Sequence, residues 1–234
     1  MEERHTRTAI LLGEEAPSRL QTAHVVVLGL GGVGSYIIEA HARAGVGHLT
    51  LIDKDVYTES NINRQLYALP ETVGRKKTEV AAERVHAIDP TILVDTVDAF
   101  VLPETVASLP LSGATYIADA IDTVSAKIAL AVYAKEAGVP LISAMGAGNK
   151  LDPTAFRVAK LKDTRVCPLA RVMRTELAKR GIHNIKVVYS EEEPKKSPLV
   201  DEESGKPVPG SVSFVPSVVG LIMAGEIIKD ITNK

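Results

Sequence analysis

A glycine-rich turn lies between a strand pattern and a helix pattern near the start of this chain, and this arrangement limits the possible folds. Residues 24–28 form a valine-rich run typical of a buried parallel strand, and residues 33–44 have helical character. The turn between them fits G-x-G-x-x-G, with glycines at Gly29, Gly31, Gly32 and Gly34. Such glycines let the backbone turn tightly and approach a phosphate at the helix N-terminus. The pattern therefore predicts a Rossmann-like nucleotide site, and the alternative is a tight turn without a ligand.

Strand and helix patterns alternate along the first 150 residues. Further strands are predicted at 49–52, 92–97, 116–118 and 139–143, and further helices at 76–88 and 125–137. This alternation predicts an α/β fold with a doubly wound sheet whose strands are parallel in the N-terminal part.

The pattern changes beyond residue 150. Strands are predicted at 156–161 and 185–189, and helices at 168–180 and 216–229. The chain from 190 to 210 holds four prolines and many charges, which predicts a mobile loop. We therefore expect one domain over residues 1–234, with a nucleotide-binding part at 1–150 and a substrate-facing, mixed extension at 151–234.

Polar residues after the second predicted strand indicate which nucleotide is bound. Asp53 ends that strand, where an acid would hold ribose hydroxyls. Polar side chains that could reach a phosphate chain follow at Asn61, Arg64, Gln65 and Lys77. A triphosphate needs several fixed cations, whereas a nicotinamide cofactor does not. The pattern favours a triphosphate, although Arg64 and Lys77 could each be ordinary surface charges.

A carboxylate also follows the fourth predicted strand. Asp122 lies in the segment 119–123, at the edge of the sheet where a parallel fold opens its ligand crevice. Its predicted role is to hold Mg²⁺ on the phosphates. The alternative is that Asp122 caps the next helix.

In this order and spacing, these residues resemble the adenylation site of the ubiquitin-activating superfamily, the ThiF/MoeB/HesA group, over residues 5 to 150. The resemblance implies ATP and Mg²⁺, with ribose at Asp53, phosphates at Asn61, Arg64 and Lys77, and magnesium at Asp122. It also implies a homodimer in which an N-terminal arginine enters the partner's site. Arg7 is the best match, in a charged arm that has no helical core pattern of its own.

The segments 143–153, 168–174, 187–192 and 214–217 resemble a narrower group, the tRNA threonylcarbamoyladenosine dehydratases. That resemblance implies adenylation and cyclisation of a threonylcarbamoyl carboxylate at tRNA position 37, and it leaves open a partner system of cysteine desulfurase and sulfur acceptor. The alternatives are an adenylyltransferase for a sulfur-carrier protein and a non-catalytic nucleotide sensor. An NAD dehydrogenase is the least supported, because no hydride-transfer constellation is found.

The cysteine count limits the chemistry. Sulfur-carrier activators usually hold zinc with two C-x-x-C pairs, but this chain has one cysteine, Cys167, so we expect no zinc. Cys167 precedes a predicted helix and is either a nucleophile or a buried, incidental thiol.

The apolar run 212–224 is too short to span a membrane, and we expect a cytoplasmic protein.

The chain has a formal net charge of −2, so any nucleic-acid site must be a local patch. Residues 157–180, here called the basic stretch, carry eight lysines and arginines against two acids. Such a stretch would attract a phosphate backbone, and Arg171 and Arg174 would share one helix face for tRNA. Met173 and Leu177 would belong to the buried face. The alternative is a solvated helix surface.

Overall fold

The computed structural model describes residues 3–200, 205 and 207–233. Within them, seven strands form one sheet. The strands are β1 (His24–Leu28), β2 (His48–Ile52), β3 (Leu93–Val97), β4 (Tyr116–Asp119), β5 (Leu141–Ala144), β6 (Phe156–Lys160) and β7 (Lys186–Ser190). The α-helices are α1 (Thr6–Leu12), α2 (Ala16–Gln21), α3 (Gly34–Ala44), α4 (Lys77–Ile88), α5 (Val124–Ala137), α6 (Pro168–Ala178) and α7 (Pro216–Thr232).

The strand order is β3-β2-β1-β4-β5-β7-β6. Neighbouring strands are parallel except for β6, which runs antiparallel to β7. The predicted doubly wound sheet with a mixed C-terminal extension is therefore confirmed. The order reverses between β1 and β4, where Leu28 pairs with Asp119. In a parallel sheet, a crevice opens at this point beyond the carboxyl ends of the strands.

Alternation along β1 explains the two layers of helices. Val25 and Val27 face the core cluster that also contains residues of α3, α4 and α7. Val26 and Leu28 face the opposite cluster, which contains residues of α5 and α6. Because successive side chains of a strand point to opposite faces, a strand covered on both sides is apolar throughout. The valine run in the sequence is thus explained by burial on both faces.

The N-terminal arm, in which the sequence shows no helical core pattern, forms two short helices, α1 and α2. Each has only one or two buried residues, Ala9 in α1 and Ala16 and Leu20 in α2. Helices this short show no full apolar period, so the sequence pattern missed them. In the part of the chain that is described, no helix has both the length and the apolarity needed to cross a membrane.

Candidate nucleotide site

A cleft of about 780 Å³ opens at the carboxyl ends of the central strands. It lies where the strand order reverses, between the turn after β1 and the loop after β4. Most of the site residues predicted from the sequence line this cleft, namely Gly29, Gly31, Gly32, Asp53, Asn61, Arg64, Gln65, Lys77 and Asp122. The fold therefore brings together residues that lie far apart in the sequence.

Glycine is required at two positions of the turn. Gly29 has a φ of 84°, and a Cβ there would lie 2.7 Å from the carbonyl oxygen of Ala120. Gly34 begins α3, and a Cβ there would lie 1.8 Å from the carbonyl oxygen of Gly29. A side chain at Gly29 would push the turn away from the loop after β4, and one at Gly34 would collide with the turn itself. The glycines therefore close the floor of the cleft beside the N-terminus of α3.

Asp53 lies directly after β2 and is tied to the glycine turn. Its Oδ2 accepts a hydrogen bond from the Leu30 amide at 2.7 Å, and its Oδ1 accepts one from the Asp55 amide at 2.8 Å. These contacts fix the orientation of the carboxylate at the cleft wall. A fixed carboxylate at this place is suited to a pair of ribose hydroxyls.

Lys77 begins α4 and is not an ordinary surface charge, because the residue is only 5% exposed. Its Nζ lies 2.9 Å from Oδ2 of Asp55 and 4.0 Å from Oδ2 of Asp53. A buried ammonium is stable only when carboxylates or hydrogen bonds compensate for lost hydration. Lys77 thus presents a held positive charge to the cleft.

The short 3₁₀ turn Glu59–Asn61 and the residues after it line another part of the cleft. Asn61 Oδ1 accepts a hydrogen bond from the Thr58 amide at 3.2 Å. Arg64 donates to the carbonyl oxygen of Ser60 at 2.9 Å and to Oδ1 of Asn63 at 2.8 Å. The protein therefore already orients Asn61 and Arg64 at the cleft.

Gln65 is 7% exposed, and its Oε1 is buried without a hydrogen-bond partner among the described residues. Leaving a buried acceptor unpaired costs about 1–3 kcal/mol, so such a group points to a ligand or a water. An amide oxygen accepts, and it therefore fits a hydroxyl donor rather than a phosphate oxygen.

Asp122 lies in the loop after β4, exposed to the cleft. Helix α5 has Thr123 at its N-cap without a side-chain capping bond, so the structure does not support capping by Asp122. Thr123 Oγ1 donates to Asp122 Oδ1 at 3.3 Å. The carboxylate is thus available to a cation in the cleft.

The structure adds residues that the sequence reasoning missed. The loop after β4, residues 120–123, is here called the Asp122 loop. Lys127 of α5 is fully buried beneath this loop and pairs with Asp119. An isolated lysine in the apolar run of α5 was the available signal. Lys54 lies over the ring of Phe100, with 3.4 Å between Nζ and the ring centroid, and both residues line the cleft. Nothing in the sequence links these two positions.

The C-terminal extension contributes part of the cleft wall. Pro209, Gly210 and Ser211 line the cleft. Asn149 holds them there. Its backbone N–H donates to the Gly210 carbonyl at 2.8 Å, and its side-chain Oδ1 accepts from the Gly210 backbone N–H at 2.6 Å. These residues close the predicted loop at 190–210, in which 201–204 and 206 lie outside the described residues.

Three predicted arginines lie outside the cleft. Arg7 is exposed on α1 and does not line the cleft of its own chain. Arg171 is exposed on α6, whereas Arg174 is half-buried and donates to the carbonyl oxygen of Thr164 at 2.7 Å. Met173 and Leu177 are buried, as predicted for the inner face of α6.

Acidic residues neutralise part of the basic stretch. Arg165 pairs with Glu191 at 2.7 Å. Lys179 and Arg180 both pair with Glu176, at 2.6 Å and 3.3 Å. Glu191 lies outside residues 157–180, so the stretch has one more paired charge than its own two acids indicate. Arg171 is the more accessible of the two arginines predicted on α6.

Cys167 is 1% exposed at the N-cap of α6. Its Sγ would lie 3.9 Å from a Cβ placed at Gly146, a residue of the cleft wall. The thiol thus lies behind the wall rather than in the cleft. This position agrees with the interpretation of Cys167 as a buried, incidental thiol.

A glycine turn, a fixed ribose-type acid and held cations at the switch point of a doubly wound sheet define a nucleotide-binding α/β protein. The chain belongs to the ThiF family, whose sequence profile matches residues 3–234.

Relatives narrow the likeness. The tRNA threonylcarbamoyladenosine dehydratase of Bacillus subtilis is 40% identical over 97% of this chain and 93% of its own length. The structure of the E. coli tRNA N6-threonylcarbamoyladenosine dehydratase in complex with ATP superimposes with a TM-score of 0.89, at 36% identity over 99% of this chain and 94% of that one. The molybdopterin-synthase adenylyltransferase of Salmonella typhimurium is 38% identical, but over only 60% of this chain and 57% of its own length.

Proposed function

We propose that this protein is an enzyme that uses ATP to dehydrate N6-threonylcarbamoyladenosine at position 37 of tRNA, through a carboxyl-adenylate. The observation that carries the proposal is the likeness to a tRNA threonylcarbamoyladenosine dehydratase over 97% of the chain, including the extension beyond residue 150. The sulfur-carrier alternative has weaker support, because the adenylyltransferase relative matches only 60% of the chain. The cleft is lined by the polar and charged residues that the proposal requires.

The residues of the cleft fit ATP. Asp53 would hold the ribose, and the unpartnered Oε1 of Gln65 would accept from one of its hydroxyls. The glycine turn would face the phosphates at the N-terminus of α3, together with Asn61, Arg64 and Lys77. Asp122 would hold Mg²⁺, which would supply further positive charge against the phosphates.

In the first step, the carboxylate of the threonyl group attacks the α-phosphorus of ATP and pyrophosphate leaves. Negative charge grows on the phosphate oxygens as the new bond forms. Arg64 and Lys77 are already oriented by protein contacts, so little reorganisation is needed when that charge develops. This preorganisation is the main contribution that the described residues make to the rate.

In the second step, the ureido group of the modification attacks the activated carbonyl. The ring closes, and AMP leaves with one oxygen of the former carboxylate. The attack is intramolecular, so proximity replaces an enzyme nucleophile. The buried position of Cys167 agrees with this route, and no step of it requires a cysteine desulfurase or a sulfur acceptor.

We further propose a cytoplasmic homodimer in which Arg7 acts in the partner's cleft. Arg7 does not line its own cleft and is exposed on α1. The same helix exposes Ile10 by 76% and Leu11 by 83%, an apolar surface that a second copy would cover. An arginine beside an apolar contact surface is suited to entering a neighbouring phosphate site.

The tRNA would meet the basic stretch, with Arg171 as an exposed phosphate contact. Arg174 would contribute less directly, because Thr164 already binds its guanidinium. A surface of this kind supplies orientation and affinity rather than base recognition, since phosphate contacts carry no sequence information.

The test is to incubate the protein with ATP and tRNA that carries threonylcarbamoyladenosine, then to measure the masses of the nucleosides. We expect the modified nucleoside to lose one water only when ATP is present, with one AMP formed per ring. An unchanged nucleoside, combined with adenylation of a sulfur-carrier C-terminus, would support the alternative instead.

A further inference from the structure

Lys127 carries a charge in the protein interior, outside the nucleotide cleft. Its side chain is 0% exposed, and so is that of Asp119, whose Oδ2 lies 2.9 Å from Lys127 Nζ. Nζ also donates to the carbonyl oxygen of Ile121 at 3.0 Å. Burying two ions is costly, and apolar residues of similar size often fill such a place at no loss of stability. Stability alone therefore does not account for this pair.

The partners of Lys127 lie at the end of β4 and in the loop that follows it. Asp119 ends β4, and its Oδ1 accepts from the Ile121 amide at 3.1 Å. Its Oδ2 also accepts from Ser143 Oγ of β5 at 2.6 Å. The carboxylate and the ammonium thus join the loop after β4 to the neighbouring strand and to α5. The loop is fixed from below at Asp119 and Ile121.

The same loop forms one side of the nucleotide cleft. The Ala120 amide donates to the Leu28 carbonyl at 2.9 Å, and the Ala120 carbonyl lies against Gly29. Ile121 and Asp122 then line the cleft. Asp122 itself makes one weak contact among the described residues, the 3.3 Å bond from Thr123. Its position is therefore set by the backbone on which it is carried.

We propose that Lys127 is a positioning residue that, through Asp119 and Ile121, holds the Asp122 loop in place for the cation that accompanies ATP. The inference rests on the proposed role of Asp122. Groups behind a metal ligand commonly matter almost as much as the ligand, because they fix its orientation. In this role, Lys127 contacts neither ATP nor the cation.

The experiment compares ATP affinity with and without Mg²⁺, by calorimetry in Mg²⁺ and in EDTA. Lys127→Met alone would leave Asp119 as an unpaired buried charge, so the informative protein is the double variant Lys127→Met with Asp119→Asn. It removes both charges and keeps an acceptor for the Ile121 amide. We expect a melting temperature near that of the wild type and a loss of the Mg²⁺-dependent gain in affinity by about 10–100-fold. Affinity in EDTA should stay unchanged.

Lys135→Met is the matched control, because Lys135 is exposed on the same helix. It should change neither affinity. If the double variant does not fold, Ser143→Ala provides the reading, since it keeps both charges and removes one bond to Asp119. That variant should lose part of the Mg²⁺-dependent gain.

A folded double variant, or Ser143→Ala, with the full Mg²⁺-dependent gain would overturn the positioning role and leave the pair as a structural one. Asp122→Ala separates this result from failure of the proposed site. If Asp122→Ala keeps the gain, or the wild type shows none, the assignment of Asp122 is wrong, and the role of Lys127 falls with it.

Discussion

The cleft and the basic stretch both carry lysines and arginines, but they hold them differently. In the cleft, Lys77 is 5% exposed and lies between two carboxylates. In the basic stretch, Arg165 and Arg180 are exposed and pair with acids at the surface. Surface pairs are worth about 0–1 kcal/mol and rearrange readily. In the proposed function, fixed charges would therefore meet the small triphosphate, and adaptable charges would meet the long phosphate backbone of tRNA.

The largest effect should come from the cleft. Asp122→Ala should lower kcat/KM for the ATP-dependent reaction by about 100-fold or more, because the charge that develops on the phosphates loses its cation. Steady-state kinetics and a melting curve give the measurement. Asp95→Ala is the matched control, since Asp95 is an exposed aspartate of β3 that lies outside both the cleft and the basic stretch. Near-normal turnover by a folded Asp122→Ala protein would remove Asp122 from the site.

The second prediction extends the cleft across a dimer. Arg7→Ala and Asp122→Ala should each be inactive alone. After subunit exchange, each heterodimer has one site with both groups intact. The heterodimers should therefore have up to about half the activity of the same amount of wild-type dimer. Activity is measured against the proportion of heterodimer in the mixture. With exchange verified by mass, an absence of recovery would mean that Arg7 acts in its own chain or not at all.

The glycine turn and the acids of the cleft could be predicted from the sequence because they are local. Gly29 and Gly34 follow a strand at fixed spacing, and Asp53 ends the next strand. The strand alternation also predicted the sheet, including its mixed C-terminal part. These features depend on patterns within about 30 residues, which a single sequence displays.

Other features could not be predicted, because they depend on packing between distant segments. Asp119 and Lys127 pair only because β4 and α5 fold back on each other. The sequence predicts the same environment for Arg174 as for Arg171, but in the fold Arg174 bonds to Thr164. The unpartnered Oε1 of Gln65 likewise depends on what surrounds it in three dimensions. Sequence gives the residue type, and the fold decides its surroundings.

A third prediction concerns the basic stretch, where effects should be smaller. Arg171→Glu should weaken tRNA binding and flatten its salt dependence by about one unit of slope, because one phosphate contact releases about one counterion. Arg174→Glu should weaken binding too, with a lower melting temperature from the lost Thr164 contacts. ATP affinity should stay constant in both variants.

Binding titrations at several salt concentrations measure this effect. Lys135→Glu is a control of the same charge change on an exposed residue of α5. If Arg171→Glu binds tRNA with unaltered affinity and slope, α6 is an ordinary solvated face, and the proposed tRNA surface lies elsewhere.

The smallest effect is expected at Cys167. Cys167→Ala should keep its activity within about twofold, because the second step needs no enzyme nucleophile. Cys167→Ser should be active as well but less stable, since a buried hydroxyl without a partner costs about 1–3 kcal/mol. Inactivity of both folded variants, or a covalent adduct between the enzyme and tRNA, would contradict the mechanism.

The fate of the threonyl carboxylate oxygens shows whether the carboxylate is adenylated. The tRNA substrate is prepared with heavy oxygen in both positions of the threonyl carboxylate. After reaction with ATP, the products are separated, and their masses are measured by mass spectrometry. A carboxyl-adenylate predicts one heavy oxygen in AMP, one in the cyclised nucleoside and none in pyrophosphate. Heavy oxygen in inorganic phosphate with ADP as co-product, or AMP without heavy oxygen, would contradict adenylation of the carboxylate.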